Sequence, residues 1–199
     1  MKTIKKYKDN RLVFYREKAD PSYWDSTWDH QDTSSIYAAA KRGSLGYFDE
    51  LFEKFLPKQG TIIEAGCGLG QLVIALISRG YRVEGVDNAQ KTIHSLQQQF
   101  PSIPFRVEDV KSLKVADSTY SAYISIGVVE HDEHGPSLFL EEAFRILKKD
   151  GIALISVPYI NPLRRIKALL GSYYRGPTDL PFYQYAFSKT EFKIGRAHV

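Results

Sequence analysis

The sequence predicts an α/β domain, and three observations carry that expectation. From Gly60 onward, short β-branched runs alternate with longer helical patterns, as in a sheet whose strands are joined by helices. Glycines 66, 68 and 70 crowd the first strand-to-helix junction. An acidic residue, Asp87, closes the second strand.

The elements follow in order. Thr61 to Ala65 is a short apolar strand that runs into the glycine cluster. Gln71 to Arg79 reads as a buried helix through Leu72, Ile74, Ala75, Leu76 and Ile77. Gly80 stands where a helix C-terminal glycine belongs. Tyr81 to Asp87 is the second strand, and Ala89 to Phe100 the second helix with Ile93 and Leu96 inward. Pro101 and Pro104 bracket the turn into a third strand, Phe105 to Val107, and Tyr120 to Ile126 is the fourth. Pro136 to Leu147 is a helix with Pro136 in its first turn and Gly151 just past its end. Ile152 to Val157 is the fifth strand. Upstream, Leu45 to Leu56 has helical spacing, with Leu45, Phe48, Leu51, Phe52 and Phe55 on one face. The stretch PSYWDSTWD before it has no clear assignment.

Composition narrows the class. A hydrophobic share of 43% with 25% charged residues excludes fibrous and largely disordered chains. No apolar run is long enough to span a bilayer. The N-terminal lysines are not followed by the apolar segment of a secretion signal, so the expected location is cytoplasmic. The single cysteine, Cys67, makes no internal disulfide. The net charge of +4 is concentrated in the first eighteen residues, with Lys2, Lys5, Lys6, Lys8, Arg11, Arg16 and Lys18 against Asp9 and Glu17. We read this as a solvated arm, and no nucleic-acid partner is expected.

The most informative stretch is IIEAGCGLG. Glycine at such a turn adopts conformations a Cβ forbids and lets a ligand lie against the main chain. Asp87 follows the first glycine by the interval expected of a ribose-binding acid. The dinucleotide fingerprint requires a third glycine where Gln71 stands. Glu64, two residues before the first glycine, suits a cationic ligand and repels a pyrophosphate. The pair favours a sulfonium nucleoside over a dinucleotide.

These residues resemble the class I S-adenosylmethionine-dependent methyltransferases, in particular the broad small-molecule group often called type 11 or UbiE-like. The resemblance rests on five ordered stretches: EAGCGLG, VEGVD with Asp87, RVEDV with Asp109, ISIGVVEH, and EEAFRILKKDGIALISVP. It covers roughly residues 45–158 and weakly continues to 192. It implies a three-layer α/β/α Rossmann-like doubly wound sheet. It also implies S-adenosyl-L-methionine as cofactor and methyl transfer to a small-molecule acceptor, lipid- or sugar-linked acceptors included. Glu64, Gly66, Cys67, Gly68 and Gly70 would line the methionine part. Asp87 would hold the ribose hydroxyls, with Asn88 beside the adenine. Asp109 and the Val110 amide would bond the adenine, and Ile126 and Gly127 would lie beneath the sulfonium.

Methyl transfer is an in-line displacement that needs a general base only when the acceptor arrives protonated. His131, at the end of the fourth strand, is the candidate base. The neighbouring His131, Asp132, Glu133 and His134 invite a metal reading, but adjacent ligands rarely converge on one ion, and no metal is expected. Tyr23, Trp24 and Trp28, and the aromatic residues from Tyr159 to Tyr185, are candidates for the acceptor pocket. NPLRRIKALLGSYYRG reads as a basic amphipathic helix, fit for a lid or for weak contact with a membrane surface or lipid-linked acceptor through 162–175.

The expected organisation is a basic and aromatic cap over 1–43, the cofactor-binding core over 44–158, and an acceptor-side insert with the start of the next helix over 159–192. The last residues, 193–199, read as a non-native tail, and the family's C-terminal strand pair as missing through truncation. Two other functions compete. One is a non-catalytic module that retains the cofactor pocket; the other is a nicotinamide-dependent oxidoreductase, against which Gln71 argues.

Overall fold

A computed structural model describes residues 3–29 and 31–189. The chain opens with a hairpin where the sequence suggested a solvated arm. Strands β1 (Ile4–Lys8) and β2 (Arg11–Tyr15) pair antiparallel, with Lys8 opposite Arg11. Asp9 and Asn10 between them take φ of 51° and 61°, as a two-residue type I′ turn requires. Among residues bearing a Cβ, Asn and Asp tolerate that region best.

Helices α1 (Pro21–Asp29) and α2 (Ser34–Lys41) follow, then a 3₁₀ turn (Gly46–Phe48) and α3 (Asp49–Phe55). The stretch PSYWDSTWD is thus helix α1. The helix expected over 45–56 is shorter. Gly46 takes φ of 58° and the tight turn shifts the register, so Leu45 and Phe52 are buried while Leu51 and Phe55 are about 40% exposed.

Next come β3 (Thr61–Ala65), α4 (Gln71–Ser78), β4 (Arg82–Asp87), α5 (Gln90–Gln99), β5 (Phe105–Val107), β6 (Tyr120–Ile126), α6 (Ser137–Ile146) and β7 (Leu147–Ser156). The last strand begins earlier than the expected Ile152. Its register against β6 slips between Tyr120 and Ala122, where Asp150 at φ 61° turns the chain before Gly151. Helix α7 (Pro162–Leu169) and strand β8 (Phe182–Ala186) complete the described chain. Residues 193–199, the suspected tail, lie outside the described residues.

By internal contacts the chain forms two units. The larger comprises Asp20–Val128 and Ser137–Ser156. Its five strands are all parallel in the order β5-β4-β3-β6-β7, and helices flank them. Strand order reverses at β3, the switch point beside which such sheets bind ligands. Ile62, Val73, Leu76, Ile93, Leu96 and Ile124 form the buried core with Phe52. Asp25 of α1 accepts from the amides of Lys91 and Thr92 and the Thr92 hydroxyl, which pins α1 to the start of α5.

The smaller unit takes the chain up to Ala19, Val129–Pro136 and the chain from Val157. These bounds cut the chain elsewhere than the expected 43 and 158. Its sheet has the order β1-β2-β8, with β8 antiparallel to β2. The aromatic run FYQYA pairs as a strand, with the Arg16 guanidinium over the Tyr183 ring at 4.6 Å and that of Arg11 over Tyr185 at 4.8 Å; the start of the next helix, expected by residue 192, falls on residues outside the described ones. Leu12, Ile160 and Ala186 form its small buried core.

Candidate functional site

The carboxyl end of β3 and the glycine turn build the site within the larger unit. Gly66 and Cys67 donate their amides to the Val86 carbonyl, at 2.8 and 3.0 Å, and so tie the turn to the end of β4. Gly66 has φ of 83°, and a Cβ there would fall 2.3 Å from Val128 Cγ2. Glycine is thus required by both conformation and space. Gly70 caps α4 in the left-handed conformation.

A cavity of about 350 Å³ opens beside this turn. It brings together Glu64, Gly66, Cys67, Gly68 and Ile126 of the predicted residues. Glu64 is 4% exposed, and its Oε2 has no hydrogen-bond partner among the described residues. Burial raises its carboxyl to about 8, an effect the Val73 amide offsets and the charge of Asp87 increases. The buried Cys67 thiol is pushed well above its ordinary value by the same desolvation, with Glu64 and Asp87 adding to it.

Asp87 is held at the edge of the turn. Its Oδ2 accepts from the Gly68 amide at 2.8 Å and its Oδ1 from the Ala89 amide at 2.9 Å. Burial pushes its carboxyl up, the amides of Ala89, Gly68 and Asn88 pull it back, and Asp25 adds a further upward push. Each oxygen keeps a second lone pair for a ligand. Asn88 is exposed. Asp109 is exposed too, and its Oδ1 accepts from the Lys111 amide at 2.9 Å, while Val110 is buried. The loop after them is anchored by Arg145, which donates to Asp117, to Glu142 and to the carbonyls of Leu113 and Val115. Gly127 follows Ile126 at φ 70°. Gly70, Asp87, Asn88, Asp109, Val110 and Gly127 do not line the cavity.

His131 belongs to the smaller unit, in a 3₁₀ turn (Val129–His131). Its Nδ1 donates to the Tyr183 carbonyl at 2.8 Å, because a carbonyl can only accept. The neutral ring therefore carries its lone pair on Nε2. Burial holds the imidazole below its ordinary value, and the Tyr183 carbonyl partly counters this. Next to it, burial raises the Glu130 carboxyl to about 7.

Sequence reasoning named Trp28 among the acceptor-pocket candidates and missed Ser44, Tyr47 and Phe48 as cavity residues. Trp28 lines the cavity, and a Cβ on Gly68 would lie 3.2 Å from its ring. It stacks on Trp24 at 5.9 Å between centroids. Ser44, Tyr47 and Phe48 also line the cavity. The unusual density of aromatics near residue 24 was the available signal. Only the docking of α1 on α5 reveals which ring meets the glycine turn.

Residues 63–155 match the family model described as a methyltransferase domain. Over that stretch the chain is similar to methyltransferase domains. The chain is 28% identical over 138 residues to a ubiquinone biosynthesis O-methyltransferase of Paracidovorax citrulli, covering 65% of this chain and 56% of that protein. The chain spans from 37% to 56% of the length of the curated relatives it matches. Solved structures share the fold. A protein of Pyrococcus horikoshii OT3 superposes with a TM-score of 0.61 at 22% identity, covering 83% of this chain and 84% of its own. A SAM-dependent methyltransferase of Methanosarcina mazei gives 0.59 at 23%, covering 71% and 79%. The glycine turn, Asp87, Asp109 and Ile126 lie inside the matched stretch, whereas Trp28 lies before it.

Proposed function

We propose that this chain binds S-adenosyl-L-methionine and transfers its methyl group to a small-molecule acceptor, with lipid-linked or sugar-linked acceptors included. The observation that carries the reading is Glu64: a buried carboxyl whose Oε2 lacks a partner among the described residues, in the wall of a cavity of about 350 Å³ beside a glycine turn. A cationic ligand favours the ionised carboxylate and pairs with that oxygen, a gain that an anionic pyrophosphate does not offer. This observation also weighs against a nicotinamide dinucleotide.

Bound S-adenosylmethionine supplies an electrophilic methyl on a positively charged sulfur. In our reading Glu64 faces the cationic methionine end. Gly66 and Gly68 bring the main chain to the cavity wall, and Gly70 turns it into α4. The Asp87 carboxylate, already oriented by two amides, accepts from the ribose hydroxyls. Asn88, Asp109 and the Val110 amide serve the adenine, and Ile126 and Gly127 the region of the sulfur. Cys67, kept as a neutral thiol, is a poor nucleophile and does not compete for the methyl. Orienting the two reactants in a site closed to water contributes about 7–11 kcal/mol. Where the acceptor arrives protonated, His131 takes the proton on Nε2, a contribution of typically ~10²–10⁴-fold.

The test is a thermal-melt titration with S-adenosylhomocysteine and, in parallel, with NAD. At about a hundred times Kd the first ligand stabilises by ~2.7 kcal/mol, a shift of roughly 5–10 °C at this size. Asp87→Asn should keep the fold and lose most of the shift. A shift with NAD alone, or a shift that Asp87→Asn leaves intact, would overturn the assignment. If the cofactor binds and no methyl transfer follows with any acceptor offered, the chain is a non-catalytic cofactor-binding module.

A further inference from the structure

Helix α7 has an amphipathic pattern with its apolar side turned outward. Leu163, Ile166, Leu169 and Leu170 are 59%, 52%, 83% and 77% exposed. At about 100° per residue they fill one continuous arc of the helix. Arg165 and Lys167, both exposed, border that arc on either side. The partly buried residues are Arg164 and Ala168, on the opposite side, where Arg164 Nη1 donates to the Tyr159 carbonyl at 3.1 Å. Four large apolar side chains facing water on an eight-residue helix and its cap are a cost that a partner must offset.

Charge decides which partner fits. From 161 to 178 the chain contains Arg164, Arg165, Lys167 and Arg175 and no acidic residue. In the same unit, Lys5 and Lys167 share a hollow of about 640 Å³ with Tyr173 and Tyr174. The Lys5 carbonyl accepts from the Tyr174 amide at 3.1 Å, which holds the hollow's two sides together. The Lys6 ammonium lies over the Tyr174 ring at 5.7 Å. Docking of this face on the same face of a second copy would set Arg165 and Lys167 against their own counterparts. An apolar arc edged by cations and tyrosines matches an anionic bilayer surface, where hydrocarbon meets phosphate.

We propose that α7 lies in the surface of anionic membranes, with Leu163, Ile166, Leu169 and Leu170 in the acyl boundary and Arg165, Lys167 and the Lys5 hollow on phosphate headgroups. Among the described residues, no helix is long and apolar enough to cross a membrane, so the contact is with one leaflet. The inference goes beyond the methyl-transfer reading and does not depend on it.

The test is co-sedimentation of the full chain with vesicles of phosphatidylcholine alone and of phosphatidylcholine mixed with phosphatidylglycerol. Binding to the anionic vesicles is expected, falling as salt is raised. Ile166→Asp/Leu169→Asp should lower the partition coefficient by ~tenfold or more. Arg165→Gln/Lys167→Gln should lower it about thirtyfold, from roughly a fivefold loss per cation near the surface. All four substitutions fall on exposed positions, and a cooperative melt at the wild-type temperature verifies folding. No sedimentation with anionic vesicles would overturn the proposal. Equal binding to phosphatidylcholine alone would overturn the role of charge. Concentration-dependent dimers in sedimentation velocity, abolished by the Ile166 and Leu169 changes and without vesicle binding, would assign the face to self-association instead. The S-adenosylhomocysteine titration on the same variants separates this outcome from the cofactor reading.

Discussion

Replacing Glu64 by glutamine should alter the slope of stability against pH more than the stability itself at acid pH. In the unfolded chain a carboxyl titrates near 4.5, while in the folded protein burial lifts Glu64 to about 8. Between those values the folded state binds the extra proton, so stability falls as pH rises, by about 1.4 kcal/mol per pH unit. The loss begins near pH 4.5 and ends near pH 8, where both states are ionised. Between pH 5 and pH 8 the wild-type chain should therefore lose about 3–4 kcal/mol relative to Glu64→Gln. That is a large part of the ~5–15 kcal/mol typical of a domain. Urea denaturation of both proteins at four pH values across this window measures the difference. Parallel curves, with a gap that does not change with pH, would refute the claim that Glu64 is protonated in the folded chain. A second consequence links the same group to its ligand. A cation beside Glu64 favours its carboxylate, so S-adenosylmethionine binding near pH 7 should release a proton. Calorimetry in buffers of different ionisation heat reads that release, which the glutamine variant should lack.

Two further predictions follow from the cavity wall. Gly66→Ala combines a strained φ with a Cβ 2.3 Å from Val128 Cγ2, and should cost about 3 kcal/mol in urea denaturation; a loss under about 0.5 kcal/mol would show that the turn relaxes freely. Trp28 lines the cavity while Trp24 does not, so ligand binding should change the intrinsic fluorescence of the wild type and of Trp24→Phe but not of Trp28→Phe. A signal that persists in Trp28→Phe would remove Trp28 from the cofactor wall.

The sequence by itself determined the parallel core. Strands of β-branched residues and helices of period 3.6 carry their burial pattern locally, so β3 through β7 and the helices between them were legible from residue spacing. The glycine turn and Asp87 were legible for the same reason, since the turn's backbone conformation and the ligand's approach both depend on residues adjacent in the chain. The Asp9-Asn10 hairpin was also written locally, in a turn dipeptide between alternating residues, although its charge suggested a loose arm. Only the tertiary structure decided the rest. Strand β8 exists because β2, some 170 residues away in the chain, offers it a ladder, and FYQYA has no pattern that names that partner. Leu51 and Phe55 share a helical stripe with Phe52, but the 3₁₀ turn before α3 rotates them to the surface. Which aromatic ring reaches Gly68 depends on α1 docking against α5. Long-range packing of that kind depends on side chains meeting across the fold, which spacing along a single segment does not encode.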